Sequence, residues 1–291
     1  MDVGMLGMMN QYLSFSTDSE NITSRDNKKI YNQILSGNFD SPAFAYFMNL
    51  GANRLCDTKS IKMYNESNLA AEINNAKENE EITGDNYTIT LGTNFIKIKK
   101  KFIDILEERH STRWFSSALP MSLDELSTIL RYSNGIAKRK IHFENIDVTT
   151  RNHGSGGGLY PVDMYLVINN VEGVGSGVYR YQPYSHTLRY ITGDFNMVDL
   201  YPYMGMDIEN FSFCVLYELD INKIYVKYGE LSLLIAMIET GLIAQNMELI
   251  STALGYTGCQ VAGFQKKYAE NKLCLDGVNS HVIYTQMCGR E

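Results

Sequence analysis

The spacing of apolar residues along the second half of the chain predicts three helices. Apolar positions three and four residues apart predict a first helix over 102–110. The segment 122–135 begins with the capping box Ser-Leu-Asp-Glu, continues with apolar residues at core spacing and ends at a glycine, which predicts a short amphipathic helix. Residues 230–254 are apolar on nearly every face and precede Gly255 at a C′ position, so they predict a long helix through the centre of the fold or of a dimer.

Short apolar and aromatic runs between these helices are typical of buried strands. Two of the runs flank residues 182–186 and predict a hairpin with its turn there. The full set of predicted strands is 163–168, 178–181, 187–191, 211–216 and 281–287. The second half of the chain is therefore expected to mix helices and strands in one folded unit.

Residues 1–100 show a different pattern, rich in Asn, Ser, Lys and Glu, with short apolar clusters such as 44–50. This pattern predicts several short helices and loops instead of an independent catalytic module. The basic run Lys97–Lys101 fits a solvated helix start better than a phosphate contact. The sequence thus predicts an N-terminal helical extension over 1–100 and a main domain over 101–291.

The composition supports a folded protein and disfavours several functional classes. Of 291 residues, 44% are hydrophobic and 20% are charged, close to the average of globular domains. The 33 acidic and 26 basic side chains give a net charge of −7, so nucleic-acid binding is not expected. Five cysteines, odd in number and without a C-x-x-C pair, favour a reducing cytoplasm over a disulfide framework or a zinc site.

No membrane association is expected from the sequence. The N-terminus has no basic region, and its apolar stretch is too short and broken for a signal peptide. The most apolar segment, 231–254, contains Glu239, Gln245, Asn246 and Glu248, which a bilayer disfavours by kilocalories each. This segment is therefore expected to be a core helix.

Several common catalytic templates do not fit. Gly154–Gly158 lacks the Lys-Ser/Thr ending of a P-loop, and neither it nor Gly173–Gly177 has the third glycine of a dinucleotide-binding fingerprint. The five histidines show no metal-ligand spacing, and no G-x-S-x-G elbow occurs. Nucleotide hydrolysis, Rossmann-type dehydrogenation, metal hydrolysis and serine hydrolysis are disfavoured, and no metal is expected.

Two segments carry donors suited to a phosphate and a flat ring. Arg109-His-Ser-Thr-Arg113 (the arginine motif) offers two guanidiniums and two hydroxyls for one phosphate dianion, although alone it fits a surface helix end more simply. Residues 151–161 (the glycine loop) contain four glycines in five positions, which let the backbone approach a flat ligand and aim N–H groups at it. The other interpretation, a flexible loop, is opposed by Pro161, which indicates a fixed turn before the next strand.

A third segment, Lys227-Tyr228-Gly229-Glu230, lies at the start of the long apolar helix. A lysine flanked by apolar residues is partly desolvated, and desolvation lowers its pKa toward the range of a general base. The adjacent phenol is able to share a proton with the amine. Considered by composition alone, however, most Lys-Tyr pairs lie on surfaces.

Taken together and in this order, the three segments resemble a known family. The arginine motif is similar to the FMN phosphate-binding segment of flavin-dependent nitroreductases, and Gly154-Ser-Gly-Gly-Gly-Leu-Tyr-Pro161 resembles the P-S-G-G-x-x-Y-P signature of their SagB-type branch. The hairpin Gly177–Tyr181, the Lys227-Tyr228 pair and Glu239–Asn246 complete the pattern. The resemblance is to azoline dehydrogenases of the streptolysin and microcin type and spans about two thirds of the chain.

The resemblance implies an α+β fold, with a mostly antiparallel central sheet wrapped by helices, and a homodimer with two FMN molecules at its interface. It further implies oxidation of thiazoline or oxazoline rings in a precursor peptide to thiazoles or oxazoles, with loss of a Cα proton and transfer of a hydride to flavin N5. Lys227 and Tyr228 carry over as the catalytic pair, with the choice of base left open. Adjacent side chains diverge by about 100° on a helix, which predicts that only one of the two points at the ring.

The same resemblance assigns the FMN ligands. Arg109, Ser111 and Arg113 are expected at the phosphate. Residues expected around the ring or the ribityl chain are Arg151, Ser155, Gly156 and Gly157, with backbone donors from Ala262 and Gly263. Gln245 and Asn246 are expected either at the cofactor or as partners of neighbouring backbone, and Arg290 is a further candidate for the phosphate.

The implied partners are the precursor peptide and a cyclodehydratase complex, for which the N-terminal extension is a candidate docking region. Gly154 departs from the branch pattern, which has proline at this position. Two alternatives stay open: a flavin reductase that takes a hydride from a nicotinamide cofactor, and a non-catalytic flavin-binding scaffold. The Lys-Tyr pair argues against the reductase, which needs no substrate base.

Overall fold

The computed structural model describes Tyr46 and residues 76–143, 146–202 and 205–291. The short helices and loops predicted for residues 1–100 lie mostly outside the described residues. Within the described part, Tyr46 and residues 76–80 are helical, and Thr88–Thr90 is a strand. By its contacts the chain divides into two units, Met1–Ala52 and Asn53–Glu291, and the elements below belong to the second unit. The predicted domain boundary near residue 100 stays a prediction.

Six α-helices have both ends within the described part of this unit, and residues 76–80 are helical as well. The six are α1 Phe102–Glu108, α2 Leu123–Asn134, α3 Met197–Leu200, α4 Asn222–Tyr228, α5 Ser232–Ala253 and α6 Lys266–Lys272. The capping box forms as predicted, because Ser122 Oγ accepts from the Glu125 N–H and Glu125 Oε2 accepts from the Ser122 N–H. Gly255, with φ +82°, follows the C-terminal end of α5 in the left-handed conformation expected at C′.

The strands form one large antiparallel sheet and one separate ribbon. They are β1 Thr88–Thr90, β2 Ile136–Phe143, β3 Ile146–Arg151, β4 Val162–Ile168, β5 Gly177–Gln182, β6 Thr187–Thr192, β7 Phe213–Asp220, β8 Thr257–Val261 and β9 Ser280–Gly289. The large sheet has the order β1-β6-β5-β4-β7-β9-β8, and β2 pairs with β3 alone. The predicted α+β class with an antiparallel sheet is confirmed.

The core lies on both faces of this sheet. One apolar cluster joins the sheet to α2 and α5, and a second joins the opposite face to α3 and α6. Strand β4 is buried along its whole length, as expected for a central strand covered on both faces. The start of β4 and the N-terminal half of α5 are the two elements that position the glycine loop.

Among the described helices, the segment Gly229–Ala253 alone is long and apolar enough to cross a membrane. In the fold its buried positions include Ala236, Ile243, Ala244 and Met247, which pack in the core cluster with α2 and the sheet. These contacts are those of a core helix, which agrees with the expectation from the sequence.

Candidate functional site

The glycine loop takes a backbone course that depends on its glycines. Gly156–Gly158 forms a single 3-10 turn, with φ +64° at Gly157 and φ +70° at Gly158. Glycine adopts these angles without the penalty that a Cβ brings. Glycine is needed at position 156 because the backbone lies close to α5, where an added Cβ would be 2.4 Å from Ile235 Cγ2. The loop therefore lies in close contact with the central helix.

Lys227 and Tyr228 both reach this loop. A Cβ built on Gly157 would lie 2.8 Å from Lys227 Nζ and 2.9 Å from Tyr228 Oη. The Lys227 ammonium is 5.3 Å from the centre of the Tyr228 ring. The two tips therefore converge on one point, although adjacent helical side chains were expected to diverge. Both residues lie in the last turn of α4, which ends at Tyr228 and is followed by Gly229 with φ +51°.

Burial also changes the acid-base properties of Lys227. Its side chain is half-buried, and this desolvation lowers the pKa of the amine below the ordinary 10.5. A lowered pKa increases the fraction of neutral amine near neutral pH, which is the form that accepts a proton. The half-buried position of Lys227 agrees with the partly desolvated lysine expected from the sequence.

Glu239 on α5 supports the other side of the loop. Ser155 Oγ donates a hydrogen bond to Glu239 Oε2, and Glu239 is 1% exposed. Burial raises the pKa of this carboxyl to about 7. Its second oxygen, Oε1, is buried without a hydrogen-bond partner among the described residues. The sequence prediction omitted Glu239 from the site, although a carboxylate inside an apolar helix was a signal for it.

Arg151 lies buried behind the loop, stacked on Tyr160. Its guanidinium carbon is 5.0 Å from the centre of the Tyr160 ring, and Nη1 donates to Asn134 Oδ1 at 2.9 Å. The Nε–H is buried without a partner among the described residues, so one donor of this cation is left for a ligand or a water. The neighbouring His153 is held neutral, because burial and the Arg151 charge lower its pKa to about 3.

The arginine motif is anchored on strand β8, away from the glycine loop. Arg109 caps the C-terminal end of α1, and Ser111 forms a parallel bridge with Gly258. The Thr112 N–H donates to the Gly258 carbonyl at 3.0 Å. Ser111 and Arg113 are exposed, so their hydroxyl and guanidinium groups face outward, as a phosphate site needs.

The remaining predicted ligands have different surroundings. Asn246 Nδ2 donates to the Asn152 carbonyl at 3.1 Å, so it supports the backbone at the start of the glycine loop. Gln245 is exposed on α5, and Ala262 and Gly263 are exposed just after β8. Arg290 Nη2 donates to Glu125 Oε1 at 3.0 Å and to Tyr256 Oη at 2.8 Å, and its Nε is buried without a partner among the described residues. Its role at the phosphate stays a prediction.

Within one chain these residues form two separate groups. Glu239 contacts the glycine loop, whereas Glu248 approaches Gly258 and lies near Arg109. Nine residues of α-helix separate the two glutamates, which is about 13.5 Å of rise and half a turn around the axis. The structure thus brings Lys227 and Tyr228 to the glycine loop and leaves the arginine motif at the opposite face of α5.

The residue types fit FMN at both groups. The exposed side chains of Ser111 and Arg113 suit a phosphate dianion. The glycine-loop backbone, together with the unpaired Nε–H of Arg151, suits a flat polar ring. The large sheet and α5 hold the glycine-loop group rigidly.

Comparisons with known proteins agree with this interpretation. The model of the nitroreductase family matches residues 106–290. A relative named "Putative nitroreductase MJ1384", from Methanocaldococcus jannaschii, is 28% identical over 56% of this chain and 79% of its own length. The microcin B17-processing protein McbC of Escherichia coli is 31% identical over 43% of this chain, a match that spans about half of McbC (49%).

Solved structures show the same fold. A nitroreductase-type crystal structure from Ralstonia eutropha JMP134 has a TM-score of 0.57 at 19% identity and covers 72% of this chain and 91% of its own. A chain of the E. coli microcin synthetase McbBCD complex with truncated pro-MccB17 bound has a TM-score of 0.51 at 18% identity, with 84% and 97% covered. The family match extends over more than half of the residues of this protein, which therefore belongs to the nitroreductase family.

Proposed function

We propose that the protein is an FMN-dependent azoline dehydrogenase, which oxidises thiazoline or oxazoline rings of a ribosomally made precursor peptide to thiazoles or oxazoles. The protein is a flavin oxidoreductase of the nitroreductase family, whose cofactor is FMN. The more specific activity rests on one observation, the convergence of Lys227 Nζ and Tyr228 Oη at Gly157. A reductase that only exchanges hydride with a flavin needs no base at this position.

The chemistry explains why a base is needed beside the flavin. Aromatising an azoline ring removes a proton from Cα and a hydride from the neighbouring carbon, and O2 finally takes the two electrons. Bound FMN supplies the hydride acceptor. Lys227 in its neutral form accepts the proton at Nζ, or Tyr228 in its phenolate form accepts it at Oη with Lys227 as its charged neighbour. Both arrangements need the two tips close together and partly shielded from water, as they are here.

The chain's own residues hold and orient the cofactor. Arg151 and the Gly156–Gly157 backbone offer donors and a flat surface for the ring, and Ser155 is fixed by Glu239. Arg109, Ser111 and Arg113 bind the phosphate by charge-assisted hydrogen bonds. We propose these roles from the positions of the residues.

A homodimer completes the site in this proposal. The arginine motif and the glycine loop lie on opposite faces of α5, so one chain alone does not join them. Met237, Ile238 and Leu242 on the same helix are 52%, 55% and 44% exposed, an apolar surface suited to a second copy. Pairing two copies through α5 brings the arginine motif of one subunit toward the glycine loop of the other.

The peptide substrate and the partner enzyme are inferred from McbC. The name of that relative states microcin B17 processing, and the matched structure is a synthetase complex with a truncated precursor bound. By analogy, we expect this protein to act on a cyclised peptide beside a cyclodehydratase in the cytoplasm.

The test is mass spectrometry of an azoline-containing peptide incubated with the protein, FMN and O2. Each oxidised ring lowers the peptide mass by two hydrogens. Lys227→Ala and Tyr228→Phe are expected to lose at least about a hundredfold in rate while keeping FMN, since general-base catalysis contributes about this much. Tyr225→Phe is the matched control, because Tyr225 lies on the same helix but is exposed and donates to Glu230 instead.

Two outcomes would replace the proposal. Rapid oxidation of NAD(P)H with no change in the peptide would make the protein a flavin reductase. A protein that binds FMN but turns over neither substrate, even with the cyclodehydratase present, would be a scaffold.

A further inference from the structure

Lys77 is a buried lysine that lies before the predicted main domain, yet it contacts the glycine loop. Its side chain is 7% exposed, and Nζ donates to the Leu159 carbonyl at 2.6 Å and to the Tyr160 carbonyl. These carbonyls directly follow Gly156–Gly158. We propose that Lys77 is a positioning residue, which holds the glycine loop in its cofactor-binding conformation. This proposal rests on the loop being a flavin-binding segment.

The loop contains a strained residue that needs such support. Tyr160 is a non-glycine residue with φ +49°, a conformation that persists only where the surroundings enforce it. Its N–H donates to Ser155 Oγ at 2.8 Å, and its Oη accepts from the Arg151 N–H at 3.0 Å. Lys77 holds the third polar group of this residue, the carbonyl. Removing Lys77 therefore frees the end of the loop where the strain is concentrated.

The segment that carries Lys77 is itself firmly attached to the sheet. Glu81 accepts from the backbone N–H groups of Tyr184 and Ser185 in the β5–β6 turn. Ile82 exchanges two hydrogen bonds with the Gln182 side chain, at 3.0 and 2.8 Å. A few residues later, β1 pairs with β6. The lysine is thus presented to the loop from a rigid base, as a positioning residue requires.

The electrostatic surroundings show that packing alone does not explain a lysine here. Lys77 lines a cavity of about 20 Å3 together with Arg151, Arg180, Lys223 and Asp163. Burial, followed by the nearby Arg151 charge, lowers the pKa of Lys77 well below its ordinary value. An apolar side chain would avoid this desolvation cost. The two carbonyl contacts are what the amine specifically supplies.

The test compares Lys77→Met, Lys77→Arg and the control Lys99→Met, which changes an exposed lysine. Hydrogen exchange of the amides of residues 155–160 is measured in FMN-free protein, and the Kd for FMN is measured by fluorescence quenching. In Lys77→Met we expect exchange at these amides to be at least about tenfold faster and the Kd to be at least about tenfold higher, because both buried hydrogen bonds from Lys77 are lost. Lys77→Arg, which keeps the charge and the donors, is expected to recover most of the affinity, and Lys99→Met is expected to match the wild type.

Wild-type exchange and Kd in a folded Lys77→Met variant would overturn the proposal. If that variant does not fold, Gln182→Ala replaces it, because it loosens the segment while keeping Lys77. Faster exchange at 155–160 in this variant supports the proposal, and unchanged exchange overturns it. Neither readout uses an azoline peptide, so a failure of the proposed reaction would leave this result standing and be recognised separately.

Discussion

At the scale of single residues, the titration of Lys227 distinguishes a base from a bystander. Its amine accepts a proton only when neutral, and burial lowers its pKa below 10.5, so the neutral fraction rises as the pH increases through that lowered value. We therefore expect kcat/KM for the azoline peptide to rise with pH, with the midpoint of the rise below the ordinary pKa of 10.5.

The same profile in Tyr228→Phe tells which residue is the base. If Lys227 is the base, the rising limb persists in this variant at a reduced rate. A limb that disappears in Tyr228→Phe would assign the proton to the phenol. A profile that is flat from about pH 6 to about pH 10 in the wild type would contradict both roles.

The residues of the site that were predictable are those that belong to a local sequence motif. Lys227, Tyr228 and the glycine loop stand in local motifs, so the sequence already points to them, and the structure adds that the two side chains converge. Glu239 was visible as a carboxylate in an apolar helix but not as a partner of Ser155. Lys77 lies 82 residues before its carbonyl partner at Leu159, and no local pattern reveals such a contact.

At the scale of elements, two substitutions in the glycine loop distinguish the effect of backbone strain from the effect of contact with Lys227 and Tyr228. Gly157→Ala places a Cβ 2.8 Å from Lys227 Nζ at a φ of +64°, whereas Gly158→Ala has a similar φ of +70° but no atom within 4 Å. Both variants are expected to lose about 1 kcal/mol of stability from the backbone conformation. Gly157→Ala alone is expected to lose at least about tenfold in azoline oxidation, because it displaces Lys227 and Tyr228.

Thermal unfolding and peptide mass spectrometry on the two variants check this expectation. Wild-type activity in both variants, at equal loss of stability, would show that the space over Gly157 is not where the reaction takes place. Similar losses of activity in both variants would point to strain in the loop as the cause.

The elements that the sequence predicted well are those with a strong period or a cap. The capped helix α2, the long helix α5 and the hairpin β5–β6 agree with the prediction, while α1 ends two residues early, at Glu108. The ribbon β2–β3 was missed because Ile136–Phe143 is half polar and pairs only with its neighbour. Strand β8 contains Thr257, Gly258 and Gln260, a weak strand pattern that is stabilised by pairing with β9.

At the scale of the whole molecule, the exposed apolar face of α5 favours the proposed dimer, and we expect FMN binding to depend on that dimer. Leu242→Lys puts a charge in this face, so we expect a monomer by light scattering and a Kd for FMN raised by at least about tenfold. Val278→Lys is the control, because Val278 is 72% exposed and lies outside α5. A Leu242→Lys variant that is still dimeric with normal FMN affinity would place the interface elsewhere.

The ribosome releases β9 after the other strands of the sheet, although β9 lies between β7 and β8. Strand β7 ends at Asp220 and β9 at Gly289. The edge of β7 that pairs with β9 in the finished sheet therefore stays unpaired while roughly 70 residues are synthesised. At about 5–20 residues per second this wait is roughly 4 to 14 s. Throughout this interval the nascent chain presents the unpaired edge of a buried, apolar strand, which neighbouring nascent chains are able to use as a template for aggregation.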